Sequence, residues 1–268
     1  MAGRRQNILE RIADTTRRRV AATLAERPLE DLRQEALTLA ERDEGAFRFE
    51  GALREAGMSF ICECKKASPS KGLISPDFDP VAIAKSYEEA GAAAVSCLTE
   101  PTYFQGADEY LTAIHEAVSI PVLRKDFVVD EAMIYEAKCI RADAVLLICA
   151  ILTDEQLRDY VRLADELKLT SLVEAYAPEE VPRAIDAGAR VIGVNNRDLR
   201  TFEVDFGRSV DLRPLVGPDR VFVSESGVET AEDVELLLRA GVDAVLIGET
   251  LMRAPDKSAA LDELRSLL

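Results

Sequence analysis

The sequence predicts an α/β protein, a (β/α)8 TIM barrel with an N-terminal helical extension. One unit recurs four times at a spacing of about 50 residues: a helical stretch ends in Gly or a similar breaker, Ala follows, and an apolar run begins. The four copies cover residues 88–98, 139–148, 185–194 and 239–248. One more short apolar run lies between each pair, and FICECKK precedes them all, so eight strands are predicted.

Amphipathic stretches of about ten to fifteen residues separate these apolar runs, which are rich in Val, Ile and Leu. Thr153 and Thr230 lie where the N-caps of two such helices belong. Strands that alternate with helices favour a parallel sheet built from βαβ units. A doubly wound sheet usually has five or six strands, whereas a TIM barrel has eight and about 250 residues. The strand count and the length of 268 residues therefore favour the barrel.

Residues 1–55 lie outside the repeat, and we assign them to an extension of a single barrel domain that covers residues 1–268. The segment ILERIADTTRRRVAA is typical of an amphipathic helix, and a second helical piece follows Pro28. The apolar positions of the first helix are Ile8, Leu9, Ile12, Val20 and Ala21. The pattern is equally compatible with a cover over one mouth of the barrel and with a decoration on the solvent side.

Composition excludes several classes of partner. With 48% apolar residues the chain is not disordered, and a net charge of −16 argues against binding to nucleic acid. The longest purely apolar run, Ala144 to Leu152, is too short to span a bilayer, and residues 1–8 lack the apolar core of a signal peptide. An anionic ligand would need basic groups concentrated in a cleft.

The cysteine and histidine content limits the chemistry and indicates a cytoplasmic protein. The number of cysteines is odd, five, and four lie in strongly apolar runs, which predicts buried free thiols in a reducing compartment. His115 is the only histidine, so catalysis by a Ser-His-Asp or Cys-His set is excluded. No zinc motif is present, and we expect no metal.

In a TIM barrel the active site lies at the carboxyl ends of the strands, so we examined which polar residues end each run. Glu63 and Lys65 share a predicted inward face with Ile61, where charges are costly unless paired or used. A purely structural ion pair is the alternative. Four later strand ends carry further polar residues that are candidates for the mouth: Lys125, Glu174, Asn195, Arg197 and Glu225.

The last two strands end in Ser226-Gly227 and in Gly248, which would expose backbone N–H groups in the loops that often bind phosphate in this fold. Ordinary tight turns are the alternative for each loop alone. Together with the SPSKG loop after the first strand, these residues indicate acid–base chemistry on an anionic phosphorylated small molecule. Lys125 could act as a general acid or form a Schiff base with a carbonyl substrate.

The residues in these runs resemble the indole-3-glycerol-phosphate synthase family. The matching segments run in order from residue 60 to 253 and are FICECKKASPSKG, SCLTEPTYFQG, PVLRKDFVVD, DAVLLI, LVEAY, IGVNNRDL, VSESGV and AVLIGETLMR. The resemblance implies closure of the indole ring of 1-(2-carboxyphenylamino)-1-deoxyribulose 5-phosphate, with loss of CO₂ and water, in tryptophan biosynthesis. It implies no cofactor and no metal.

The resemblance also implies roles for individual residues. Lys125 would be the general acid that protonates the ribulose carbonyl, and Glu63 would hold and tune it. Lys65 would meet the anthranilate carboxylate, and Glu174 would be the general base of the dehydration. Two more polar residues would orient the intermediate, Asn195 and Glu225. The substrate-binding residues would be Ser68, Phe104, Phe127, Leu146, Arg197, Leu199, Ser226, Gly227, Gly248 and Glu249.

Two positions depart from the family pattern. Many relatives have Ser where this chain has Glu249, and an acid beside a phosphate is unfavourable, so we expect contact there through the backbone N–H. Cys97 replaces a more usual apolar β-branched residue, which we attribute to packing. The N-terminal helix matches the family more loosely than the barrel does.

Alternative functions are phosphoribosylanthranilate isomerase, a Schiff-base aldolase and a non-catalytic barrel that binds sugar phosphates. The isomerase gives no reason for the Glu63–Lys65 pair joined to SPSKG, and the non-catalytic barrel gives none for the full set of strand-end residues. We expect one monofunctional barrel that is monomeric, with at most weak contact to enzymes of the same pathway.

Overall fold

The computed structural model describes residues 7–198 and 201–268. Eight parallel strands form a closed barrel in which each strand pairs with the next in sequence, and the last pairs with the first. The predicted TIM barrel is therefore confirmed. The strands are β1 (Ser59–Cys64), β2 (Ala94–Leu98), β3 (Val122–Lys125), β4 (Ala144–Ile148), β5 (Thr170–Ala175), β6 (Val191–Asn195), β7 (Val221–Glu225) and β8 (Ala244–Ile247).

Helices surround the barrel and precede it. They are α1 (Ile8–Glu26), α2 (Leu29–Arg42), α3 (Arg48–Leu53), α4 (Pro80–Glu89), α5 (Asp108–Ala117), α6 (Ala132–Cys139), α7 (Asp154–Glu166), α8 (Glu180–Asp186), α9 (Gly207–Leu212), α10 (Ala231–Arg239), α11 (Glu249–Arg253) and α12 (Lys257–Leu264). Short 3-10 turns cover Cys149–Ile151 and Arg213–Leu215, and a small antiparallel hairpin pairs Ala67–Ser68 with Gly72–Leu73. Among the described residues, no helix combines the length and apolarity needed to cross a membrane.

Two of the helices begin as the sequence predicted. The side chain of Thr153 accepts a hydrogen bond from the backbone N–H of Gln156, and the Thr153 N–H donates one to Oε1 of Gln156. Thr230 and Asp233 make the same reciprocal pair at the start of α10. Each capping box satisfies two backbone donors that would otherwise lack a partner in the first turn.

Side chains of the strands alternate between two apolar layers. Ile61, Leu123 and Leu172 belong to the cluster inside the barrel, whereas Cys62 and Cys64 belong to the layer between strands and helices. This alternation follows from the period of two along a strand. It aims the inward row of each strand at the same axis, so the polar residues that continue this row converge at one mouth. All five cysteines are free thiols.

The N-terminal extension reaches both ends of the barrel. Leu9 and Ile12 of α1 join the interior cluster and line the cavity at the carboxyl ends of the strands. Phe49 of α3 joins the same cluster from the other end, where the Glu50 N–H lies 3.3 Å from Oγ1 of Thr170, the first residue of β5. One mouth is thus covered by α1 and the other is closed by α3.

Candidate active site

A cavity of about 520 Å³ opens at the carboxyl ends of the strands. It collects the predicted site residues from all eight strands or the loops that follow them. Leu199 lies outside the described residues. The other predicted residues all line the cavity, and they are Glu63, Lys65, Ser68, Phe104, Lys125, Phe127, Leu146, Glu174, Asn195, Arg197, Glu225, Ser226, Gly227, Gly248 and Glu249.

Lys125 lies at the centre of the charged residues. Its Nζ is 2.6 Å from Oε2 of Glu225 and 3.3 Å from Oε2 of Glu174, so carboxylates from β7 and β5 reach it across the ring. Burial disfavours the ammonium form, but the charges of Glu225, Glu174 and Glu63 outweigh burial and raise the pKa of Lys125 above its ordinary value. The lysine is therefore a cation over the whole physiological range.

The pKa of Glu225 is also raised, which for a carboxyl group favours the neutral form. Burial raises the pKa of Glu225 to about 7, Lys125 opposes this rise, and the negative charge of Glu174 adds to it. Three carboxyl groups and two ammonium groups, those of Lys65 and Lys125, share this end of the barrel, so the set has one excess negative charge. Retention of one proton on Glu225 removes that excess.

Glu63 has a different partner from the one we expected. Its carboxylate forms an ion pair with Lys65, two residues along the same face of β1, and not with Lys125. The side chain of Glu63 is 5% exposed and that of Lys65 17%, so the pair is largely desolvated. Glu63 therefore acts on Lys125 only through its charge at longer range, and the direct partners of that lysine come from β5 and β7.

The end of the cavity near β2, β3 and β4 is aromatic and apolar. The rings of Phe104 and Phe127 are tilted against each other with centroids 5.8 Å apart, and Leu146 lines the same cavity. Buried Glu100 fixes the loop that carries Phe104, because its carboxylate accepts backbone N–H groups from residues 102–104 at 2.6–3.0 Å. Ile8, Leu9 and Ile12 of α1 also contribute apolar surface.

The end near β7 and β8 is formed by a tight backbone turn. Ser226 and Gly227 both have positive φ, 68° and 86°, and a side chain at position 227 would clash with Val204. Buried Asn196 holds this turn, because its Nδ2 donates to the Ser226 carbonyl at 2.9 Å and to Ser224 Oγ at 3.1 Å. The tight turn thus brings backbone close to the cavity.

Glu249, the position that departs from the family pattern, is surrounded by cations. Its carboxylate lies 3.3 Å from Lys71, 3.2 Å from Arg253 and 3.8 Å from Arg197. Although burial acts in the opposite direction, hydrogen bonds from Lys71 and Arg253 lower the pKa of Glu249. The acid is therefore ionised and neutralised by its neighbours.

Sequence reasoning missed several residues that shape the cavity. Glu100 lies two residues after the end of β2, and this position near a strand end was the signal for it. Gly193 shares the predicted face of Asn195 but was given no role, and Asn196, next to a predicted residue, gave no comparable signal. No group of three or more His, Cys, Asp and Glu side chains within residues 7–198 and 201–268 could hold a metal ion.

Solved structures with low sequence identity match the fold. Thiamine phosphate pyrophosphorylase from Pyrococcus furiosus superposes with a TM-score of 0.59 at 17% identity, covering 78% of this chain and 94% of that one. For 3-hexulose-6-phosphate synthase from Salmonella typhimurium the TM-score is 0.64 at 13% identity, with 77% and 96% covered. At this identity the likeness concerns the barrel alone.

Sequence relatives carry the more specific information. The family model described as indole-3-glycerol phosphate synthase matches residues 9–264. The indole-3-glycerol phosphate synthase of Ruminiclostridium cellulolyticum is 53% identical over 258 residues, 96% of this chain and 98% of that protein. The enzyme of the same name from Lachnoclostridium phytofermentans is 49% identical over 272 residues, 97% and 100% of the two chains. The chain belongs to the indole-3-glycerol phosphate synthase family.

Proposed function

We propose that the protein converts 1-(2-carboxyphenylamino)-1-deoxyribulose 5-phosphate into indole-3-glycerol phosphate, CO₂ and water. The observation that carries the proposal is the buried Lys125 ammonium, held by Glu225 and Glu174 at the centre of a 520 Å³ cavity. Apolar and aromatic groups from β2–β4 lie on one side of it, and the turn after β7 lies on the other. This two-ended arrangement of the cavity suits a substrate with an aromatic acid at one end and a phosphate at the other.

Ring closure needs an electrophilic ketone. In the proposed step the aromatic carbon that bears the carboxylate attacks the ribulose carbonyl carbon, and the carbonyl oxygen takes a proton from Lys125 Nζ to become a hydroxyl. The electron pair of the bond to the carboxylate then restores the aromatic ring as CO₂ leaves. A lysine with a raised pKa is a weak acid, so its main contribution is a fixed positive charge and a donor aimed at developing negative charge.

Dehydration completes the indole. The new hydroxyl takes a proton from Lys65 Nζ and leaves as water, and Glu174 removes the proton from the carbon that enters the pyrrole double bond. A proton from solvent then restores the Lys65 ammonium. Glu174 lies 3.3 Å from Lys125, close enough for the acid and the base to exchange a proton between the two steps. Lys65, already paired with Glu63, supplies a second ammonium group within the cavity and would hold the anthranilate carboxylate.

The remaining assignments concern binding. Phe104, Phe127 and Leu146 would pack on the aromatic ring, with Leu199 assigned to the same end by resemblance. Arg197 would add positive charge to the cavity, and Asn195 and Glu225 would orient the intermediate. The phosphate would be bound by Ser68, Ser226, Gly227, Gly248 and the backbone N–H of Glu249.

The test is turnover followed by indole fluorescence, with no metal or cofactor added. The chain contains no tryptophan, so protein emission interferes little. Lys125→Ala should lower kcat by about 10²–10⁴-fold, the usual contribution of a general acid, and the folded state should be retained. Lys85→Ala, an exposed position on α4, is the matched control and should keep full activity.

The outcomes discriminate between the alternatives. Near-normal turnover by Lys125→Ala would contradict the proposed acid. Tight binding of the substrate by folded wild-type protein without any fluorescence increase would favour a non-catalytic sugar-phosphate barrel. Trapping of a covalent adduct on Lys125 by borohydride would favour Schiff-base chemistry.

We propose further that the protein acts as a monomer in the cytoplasm. Five free thiols are compatible with a reducing compartment. The large apolar side chains that are exposed in the described part of the chain include Leu73, Leu215 and Leu236, which lie on three different elements. Contact with enzymes of the same pathway is accordingly proposed to be weak.

A further inference from the structure

One residue on the inward face of β6 has no side chain, and a carboxylate occupies the space. A Cβ added at Gly193 would lie well inside 3.0 Å of Glu225 Oε1, a separation that real Cβ atoms essentially never show. It would also lie 3.2 Å from the carboxyl carbon of Glu225 and 3.1 Å from Cδ1 of Leu172. By contrast, a Cβ at Gly51 in α3 would meet nothing within 4 Å.

The strand register explains why this space matters. Gly193 is level with Glu174 on β5, whereas Glu225 on β7 is level with Asn195, two residues farther along β6. The Glu225 side chain therefore turns back across the bare surface of Gly193 toward the level of Glu174. Only in this position can both carboxylates contact the single Nζ of Lys125.

The other oxygen of the same carboxyl group faces Gly193. Glu225 Oε1 is fully buried and has no hydrogen-bond partner within residues 7–198 and 201–268. A buried polar atom without a partner is costly, and the Glu225 side chain lines the cavity. The carboxyl group is therefore held by the contact of Oε2 with Lys125 and by the space at Gly193, and not by any hydrogen bond to Oε1.

We propose that Gly193 is a positioning residue for the proposed reaction: its missing side chain makes room for Oε1 of Glu225, so that Oε2 of the same carboxyl group can reach Lys125. The inference rests on the proposed role of Lys125. In addition, a residue without a side chain determines where the ion pair between Lys125 and Glu225 lies. Gly248 has the same relation to another pair, since a Cβ there would lie within 3.0 Å of Glu63 Oε1 and of Lys65 Nζ.

A double-mutant cycle tests this assignment. Gly193→Ala should push the carboxyl group off Lys125 and lower kcat by roughly 10²-fold, the effect expected from a displacement of about 1 Å, with a smaller change in KM. Glu225→Asp shortens the side chain by one methylene group. Adding Gly193→Ala to Glu225→Asp should therefore cost little further activity. Gly51→Ala is the matched control and should behave as the wild type.

An equal loss of kcat from Gly193→Ala in both backgrounds would overturn the proposal, because the methyl group would then act through Leu172 or the backbone. If Gly193→Ala is folded but has no measurable activity, thermal unfolding replaces the activity measurement. The decrease in Tm caused by Gly193→Ala should largely disappear in the Glu225→Ala background, and an undiminished decrease would contradict the proposal. Failure of the proposed function itself would appear separately, as normal turnover by Lys125→Ala.

Discussion

At the scale of single residues, the chemistry depends on how five charged side chains divide their protons. Lys125 keeps its proton because carboxylates surround it, and Glu225 takes one up because burial and the charge of Glu174 disfavour a further anion. The pKa values of Lys125 and Glu225 are both raised, as expected where three carboxyl groups lie beside two amino groups. The pair Glu63–Lys65 is separate from the pair Glu225–Lys125, so two ammonium groups are available at different places in the cavity.

This proton balance predicts a pH dependence of stability. The pKa of Glu225 is about 7 in the folded protein against 4.5 for the ordinary side chain. Between these values the folded state binds more protons than the unfolded state, so the contribution of Glu225 to the free energy of unfolding falls as pH rises, by up to about 1.4 kcal/mol for each pH unit. Below the unfolded pKa this stabilisation is fully present.

Glu225→Gln cannot titrate and supplies the reference. Urea unfolding of both proteins between pH 4.5 and 7.5 should show the stability of the wild type declining relative to the variant. A difference that is constant over this range, or that grows with pH, would show that Glu225 is ionised throughout.

At the scale of elements, the N-terminal extension has two separate tasks. Helix α1 places Ile12 over the substrate cavity and is held there by an ion pair between Arg19 and the fully buried carboxylate of Asp126, at 2.7 Å. Helix α3 buries Phe49 completely at the opposite end of the barrel. The same short extension therefore supplies part of the site with one helix and part of the core with another.

The two helices should respond differently to truncation of one side chain. Phe49→Ala leaves a cavity in the core and should lower the free energy of unfolding by about 3–5 kcal/mol, while the folded molecules keep their kcat/KM. Denaturant unfolding and steady-state kinetics on the same sample measure both quantities. A large loss of kcat/KM in folded protein would show that α3 influences the site.

Ile12→Ala removes apolar surface from the cavity wall. We expect KM to rise about 10-fold, equivalent to about 1.4 kcal/mol of lost contact, with a smaller change in kcat. The kinetic assay that uses indole fluorescence measures both constants. An unchanged KM would mean that α1 does not touch the bound substrate.

At the scale of the whole molecule, the cavity contains several cations although the chain is acidic overall. The chain carries −16 overall, yet Lys65, Lys125 and Arg197 lie together in one cavity, where a phosphorylated carboxylic acid would need them. The net negative charge of the remaining residues makes separate molecules of the protein repel each other. Barrel closure also leaves the eight barrel strands without a free edge for another chain to pair with.

These properties predict a monomer in solution. Sedimentation velocity at micromolar concentration should give a single species with the chain mass of 29.4 kDa. A species of twice that mass that persists on dilution would contradict the proposal. It would indicate that the exposed leucines are buried in an interface between two copies of the chain.

The sequence by itself determined the barrel and most of the cavity lining. Strand number, the alternation of inward and outward residues and the capping of α7 and α10 depend on short-range periodicity, which a sequence displays directly. The tertiary structure alone decided which groups meet across the ring. Glu63 was expected to hold Lys125, but the stagger of the closed barrel brings Glu225 and Glu174 to it instead, and no local pattern encodes that stagger. The space at Gly193 and the opposite positions of α1 and α3 arise in the same way, from contacts between residues far apart in the chain.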